Sequence, residues 1–284
     1  MAALTPAVHS GWRKQKWSSQ VIETLFDPLV FSSRVEDRSA EVTGMEGQVL
    51  TIPRMSALST YATGDNGEVT DQTPAAPTET LTIDQNRHVA LKFRNDYALQ
   101  VAVSEGKWSR EQGQALKLYM EQYGLDLEQG VGSGSRRSIA GSITEADLLA
   151  LRARVERPGF KWPKGNWHLA MSPDQMTQVL ALDRFSELTF VGDGNAPVTT
   201  GNLKTIYGFE PLVTGLAVRR SVSGTTRTIN MAWHGDRAFC KGMQKDITVE
   251  KDTLELWHRI TAWFLFGMAL KEADTVYILQ STDA

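Results

Sequence analysis

The chain has 284 residues, 41% hydrophobic and 22% charged, with a net charge of −3 and a pI near 6.0. That length can bury a substantial core in one large domain or two, and the charge balance argues against a strongly basic nucleic-acid reader. The lone cysteine, Cys240, excludes an internal disulfide framework and a cysteine-only zinc site. With no apolar run of membrane-spanning length and no apolar signal core at the N-terminus, the chain reads as soluble and made in the cytoplasm.

Residues 1–40 read as an N-terminal arm. Trp12 and Trp17 flank Arg13, Lys14 and Lys16, and no carboxylate occurs before Glu23. Interleaved cations and aromatics serve nucleic-acid or membrane contact, or anchor an arm on a neighbouring subunit. Three cations make a weak electrostatic footprint, so the anchor is the expectation. Val21, Ile22, Leu25 and Phe26 then fall at helical spacing, with Pro28 as the limit.

The stretch 41–93 reads as an extended loop. It enters through Gly47-Gln48-Val49-Leu50-Thr51-Ile52-Pro53, where apolar residues alternate until the proline. It returns through Leu81-Thr82-Ile83-Asp84 and Val89-Ala90-Leu91-Lys92-Phe93. The middle is rich in turn formers and poor in large apolar side chains, so the excursion has no hydrophobic face of its own to lie on. From Met55 to Asn86 there is no Lys or Arg, while Asp65, Glu68, Asp71, Glu79 and Asp84 are acidic. Structureless loops beyond about 12–15 residues are uncommon in compact domains unless they work. An arm docking on a basic surface of another subunit is therefore expected, with Tyr61, Asp65, Glu68, Asp71 and Glu79 as contacts.

An apolar run over 97–103 follows. Ser109 with Gln112 predicts a capping box opening the longest helix, which carries Leu116, Tyr119, Met120, Tyr123 and Leu127 on one side and stops near Gly130. Gly113 weakens its first turn. Gly130-Val131-Gly132-Ser133-Gly134-Ser135-Arg136-Arg137 reads as the most flexible stretch, with Gly130, Gly132 and Gly134 as a hinge; its spacing matches no phosphate-binding loop. Thr144 with Asp147 caps a helix bearing Leu148, Leu149, Leu151 and Val155, which Pro158-Gly159 stops. Trp167-His168-Leu169-Ala170-Met171 reads as a buried strand. Ser172-Pro173-Asp174-Gln175 opens a further helix with Met176, Val179, Leu180 and Phe185. Gly192-Asp193-Gly194-Asn195 is a turn. Strands are expected around 205–209 and Leu212-Val213, then a hairpin about Ser223-Gly224-Thr225 leading into 229–233. From Ala238 the chain is strand-like; Ile260-Thr261-Ala262-Trp263-Phe264-Leu265-Phe266 predicts a central strand of a mixed sheet, broken at Gly267, and 276–279 closes the chain.

Catalytic patterns are missing from the sequence. His9, His88, His168, His234 and His258 make no metal-ligand spacing, serines sit in no nucleophile elbow, and Glu145, Asp147 and Asp193 are accounted for by caps and turns. No cofactor, metal or enzyme activity is expected.

The order of these parts resembles the major capsid proteins of tailed bacteriophages, with the HK97-like fold. The entry motif at 47–53 matches the family's Gly-x-x-Val/Leu-x-Ile-Pro, Met171-Ser172-Pro173 its strand-to-helix step, and 200–210 its Gly-x-Ile-x-x-Ile-x-Gly-Phe-x-Val segment. The resemblance implies an α+β fold: an arm over 1–40, an extended β-hairpin loop over 41–93, a peripheral domain with a spine helix from 94–140 and 237–284, and an axial α/β domain over 141–236. It further implies a virion protein, with copies of itself, in pentamers and hexamers, as partners in an icosahedral shell enclosing double-stranded DNA without reading its sequence. Scaffolding, portal and decoration proteins are the other implied partners, and no membrane is. An encapsulin-type nanocompartment shell shares this layout. A soluble hydrolase or sugar-binding protein with a protruding lid is the alternative from another class.

Overall fold

A computed structural model describes residues 29–54, 58–61, 71–73, 77–94, 105–155, 166–182, 205–222, 224–254 and 257–282. In chain order these form β1 (Glu36–Asp37), α1 (Ser39–Val42), β2 (Val49–Pro53), β3 (Thr78–Thr82), β4 (Gln85–Arg94) and α2 (Glu105–Asp126). β5 (Arg136–Ser138), α3 (Glu145–Val155), β6 (Trp167–Met171), α4 (Pro173–Leu180) and β7 (Glu210–Val213) follow. The last are β8 (Arg219–Val222), β9 (Thr225–His234), β10 (Phe239–Leu254), β11 (Trp257–Leu270) and β12 (Val276–Ser281).

One sheet has the order β1-β10-β11-β4. β10 and β11 pair antiparallel from Phe239–Leu270 to Leu254–Trp257, and β1 adds in parallel, so the sheet is mixed with β11 inside, as its apolar run predicts. Ile260, Ala262, Phe264 and Phe266 alternate onto one buried face. Helix α2 lies on that face: Leu116, Met120 and Leu125 are buried, and Tyr119 and Tyr123 meet Phe266 edge-on at 6.3 and 5.7 Å.

The helix begins at Glu105, so Ser109 and Gln112 do not cap it and Gly113 lies in its interior. Gln112 is instead buried, and its amide donates to the carbonyls of Val89 (3.1 Å) and Ile260 (3.0 Å), fastening helix to sheet. A Ser-x-x-Gln pattern reads alike at a helix start and inside one. What the glutamine can reach decides its role.

The second sheet has the order β5-β12-β9-β6-β7, with β8 on β9. Leu148, Leu151 and Val155 of α3 and Met176 and Val179 of α4 pack with Trp167, Leu169, Met171, Ala232, Tyr277 and Leu279. Met231 and Trp233 alternate onto the other face and join the core under α2. Both start signals hold. Thr144 and Asp147 bond reciprocally (Thr144 Oγ1 to Asp147 Oδ2, 2.6 Å), and Ser172 Oγ accepts from Gln175 N at 3.2 Å. The Gln175 side chain also takes Ser281 Oγ–H at 2.6 Å, tying α4 to the last strand.

Four further expectations change. Residues 205–209 form a tight turn bridged from Ile206 to Phe209, with Tyr207 and Gly208 at φ 49° and 93°; left-handed backbone ends a strand. Leu149 is 43% exposed, off the packed stripe of α3. Gly267 lies inside β11 and does not break it. The stretch 237–284, expected in one unit, contributes β10 and β11 to the first sheet and β12 to the second. The 19–29 helix (up to residue 28), the 97–103 run, the Pro158–Gly159 stop, Phe185 and the 192–195 turn fall outside the described residues.

Candidate assembly surfaces

The loop has a buried base. β2 and β3 pair antiparallel from Val49–Thr82 to Pro53–Thr78, and Arg54 N donates to Pro77 O at 2.8 Å. Farther out, the Gln72 side chain clasps both backbone groups of Ser59 in the same register. Ile52, Leu81 and Ile83 pack with Val42 and Cys240. Two glycines make this possible. Gly242 and Gly267 face each other across β10 and β11. A Cβ on Gly267 would stand 2.0 Å from the Thr82 carbonyl oxygen, and one on Gly242 2.9 Å from Val42 and 3.0 Å from Leu81. The pair forms a notch in the sheet for the loop base. The same side chains bury Cys240, and that desolvation pushes its thiol up to about 11, leaving it inert.

Beyond the base the described residues of the loop, 58–61 and 71–73, are exposed. Leu58 is 69% and Tyr61 59% exposed, and Asp71 is exposed. Asp65 and Glu68 lie outside the described residues. Glu79 has a partner in its own chain: Arg54 lies 3.6 Å away and also reaches Glu272 at 3.1 Å. The return segment does not stay in the hairpin. β4 leaves it to pair with β11 from Gln85–Phe266 to Arg94–Trp257.

The arm residues Trp12, Arg13, Lys14, Lys16 and Trp17 lie outside the described residues, but the arm's root is firmly seated. Backbone N–H groups of Val30 (2.6 Å), Phe31 and Ser32 (2.9 Å) all donate to the fully buried Glu121 carboxylate of α2. A carboxylate taking three such donors caps the short 3-10 turn Ser32–Arg34 from a distant element. Phe31 sits against Trp233 and Phe239, with ring centroids 5.2 and 5.0 Å away, where Gly124 leaves room; a Cβ there would lie 2.4 Å from the Phe31 ring. Trp233 Nε1 donates to Arg34 O at 3.1 Å and Lys241 Nζ to Ser32 O at 2.8 Å, so the root touches both sheets.

The hinge candidates are braced. Gly130 ends a 3-10 turn (Leu127–Gly130), with Leu270 3.3 Å from where its Cβ would be; Gly132 and Gly134 have open space around them. Arg136 pairs with buried Glu128 at 2.6 Å and donates to Val131 O at 3.1 Å, and Arg220 reaches Glu128 at 2.6 Å and Asp126 at 3.0 Å. A stretch that reads from composition as the freest in the chain is thus spanned by ion pairs.

His168 is buried beside the arm root, Nδ1 2.8 Å from Glu210 and Nε2 3.0 Å from Asn166. Burial lowers its pKa more than Glu210 raises it, and burial also lowers that of His234. Among the described residues no group of three or more His, Cys, Asp or Glu is arranged to hold a metal ion.

Glu121, Gly124, Gly242 and Gly267 were not singled out from the sequence as functional. Gly124 carried a signal: it follows Leu116 and Met120 at four-residue spacing, and glycine on an apolar helix face marks close approach.

No family model and no curated protein matches the chain. Solved structures do. The chain is similar to the capsid structure of the cyanophage P-SCSP1u over 100% of both chains, with a TM-score of 0.76 at 15% identity. It is similar to a structure from Mycobacterium phage Che8 over 95% of this chain and 97% of that one (TM-score 0.74, 16% identity). The mature capsid of bacteriophage PhiM1 matches over 99% and 100%, with a TM-score of 0.75 at 9% identity. The fold is that of phage capsid subunits. The α+β, HK97-like architecture expected from the short motifs is the architecture found.

Proposed function

We propose that this chain is the major capsid subunit of a tailed double-stranded DNA phage, and that its copies assemble as pentamers and hexamers into an icosahedral shell around the genome. The observation that carries the reading is the end-to-end match to the cyanophage capsid subunit, with no large part of either chain left over. The exposed Leu58 and Tyr61 add support, since these apolar side chains gain burial on another surface. In this reading the four-stranded sheet and α2 form the peripheral domain, which takes β10 and β11 from the 237–284 stretch, and the 141–236 segment, with β12 in its sheet, faces the capsomer axis. The loop and the arm around Trp12 to Trp17 each reach a neighbour. Individually weak contacts become stable through their number in a closed shell. Gly130, Gly132 and Gly134 are a pivot for subunit rearrangement, restrained by the Arg136–Glu128 pair. Scaffolding, portal and decoration proteins are the proposed partners, and the virion the proposed location.

Negative-stain microscopy of the expressed protein tests this. Closed shells are expected, and deleting residues 64–78 should abolish them while leaving a folded subunit. A chain that stays monomeric under every condition overturns the reading. Shells enclosing a protein cargo in place of nucleic acid would move it to a nanocompartment.

A further inference from the structure

A cavity of about 230 Å³ lies at the edge of the second sheet, between helix α3 and the paired strands β5 and β12. Leu151, Ala153 and Leu279 are among its apolar walls, Arg137, Arg154 and Tyr277 supply polar groups, and no carboxylate lines it. The two arginines are held differently. Arg137 donates to Asp147 Oδ1 at 2.7 Å, and that carboxylate also serves the Thr144 cap through Oδ2. A guanidinium has donors to spare for a second carboxylate. Arg154 lies 5.7 Å from the centroid of the Tyr277 ring and has no carboxylate partner among the described residues. A ring face orients a cation and leaves its charge in place. The cavity is thus concave, largely apolar and positively charged, the form of a site that takes one acidic group.

The surface beside it is apolar as well. Leu149 is 43% exposed, and exposed Ala146 and Ala153 fall on the same outward side of α3 at helical spacing. Ala153 also lines the cavity, so strip and cavity are continuous. A nucleic-acid backbone spreads its charge along a strand, calls for more cations than these two, and offers nothing to cover Leu149. An acidic peptide offers a planar carboxylate to the guanidiniums and apolar side chains to the strip. An amphipathic helix carries both on one face, because residues three and four apart are neighbours.

We propose that this cavity and the outward face of α3 form a docking site for an acidic amphipathic helix of a partner protein. A Glu or Asp side chain of the partner enters between Arg137 and Arg154, and its apolar residues cover Leu149 and Ala153. The proposal goes beyond the capsid reading and stands apart from it, because binding is read on the chain itself, as subunit or as shell.

Fluorescence anisotropy tests it, with the full chain and a labelled amphipathic peptide of Leu, Ala and Glu. Saturable binding is expected, weakened about tenfold by Arg154→Gln or by exchanging the peptide's Glu for Gln. Leu149→Ser, at an exposed position, should weaken it about threefold. Ala153→Trp should fill the cavity mouth and abolish binding, which keeps the test decisive if loss of the Arg154–Tyr277 contact disturbs the fold. Absence of saturable binding overturns the proposal, as does binding that survives Ala153→Trp. Displacement of the peptide by inorganic phosphate, equal in the parent chain and in Leu149→Ser, also overturns it, since the site would then take any small anion.

Discussion

Two segments, the arm root and the loop base, are anchored on different principles. The arm root is held by groups that are present: a buried carboxylate collecting three N–H groups, and a phenylalanine set between Trp233 and Phe239. The loop base is held by groups that are missing, since Gly242 and Gly267 leave a notch that backbone fills. An anchor built from a polar cap fails when its acceptor is weakened. One built from a notch fails when anything is added.

The sharpest way to break the comparison is Gly267→Ala. The Thr82 carbonyl 2.0 Å away is backbone on a paired strand and has little room to retreat, so a loss of about 3 kcal/mol is expected by urea denaturation. Hydrogen exchange should show the new weakness in β2 and β3. Glu121→Gln comes next, at about 2 kcal/mol, because the amide replaces one accepting oxygen with a donor facing buried N–H groups. Its exchange signature should appear at residues 30–32 and leave the loop base unchanged. If both variants loosen the same segment, the two anchors are not separate.

Acid sharpens the contrast further. Burial lowers the pKa of His168 and His234 below the unfolded value near 6.5, so their contribution is present above that pH and is lost as pH falls through the lowered values. His168 sits beside the arm root, with its ring 5.4 Å from that of Trp233. Stability should decline below about pH 6.5, and His168→Gln should flatten that decline in a series of melts, while Gly267→Ala should leave its slope unchanged. The smallest effect is a gain. Gly113 lies inside α2 with nothing near its would-be Cβ, so Gly113→Ala should stabilise the subunit by roughly 0.5–1 kcal/mol. Gly124→Ala, eleven residues along the same helix, should do the reverse, because Phe31 fills that space.

Much of the fold was legible in local patterns. The Thr144–Asp147 box, the Ser172 cap with Pro173, the buried 167–171 strand and the hairpin at Gly224 form as read, because a few neighbouring residues satisfy each of them. Elements whose sense depends on distant chain were misread. Gln112 resembled a cap and is a rivet, Gly267 resembled a breaker and is a notch, and 205–209 resembled a strand and is a turn. Of the candidate assembly surfaces, the acidic loop was plain from composition.

The sequence by itself determined the periodicities, the caps, the uneven charge of the loop and the short motifs that pointed to a capsid-like α+β fold. These depend on residues within a turn or two of one another. Tertiary structure alone decided which glycines are close-approach points, that Glu121 holds a segment 89–91 positions away, and that β12 crosses to the second sheet. Each of these turns on which surfaces meet across the fold, and the energy of such a meeting belongs to both partners at once, so neither stretch carries it alone.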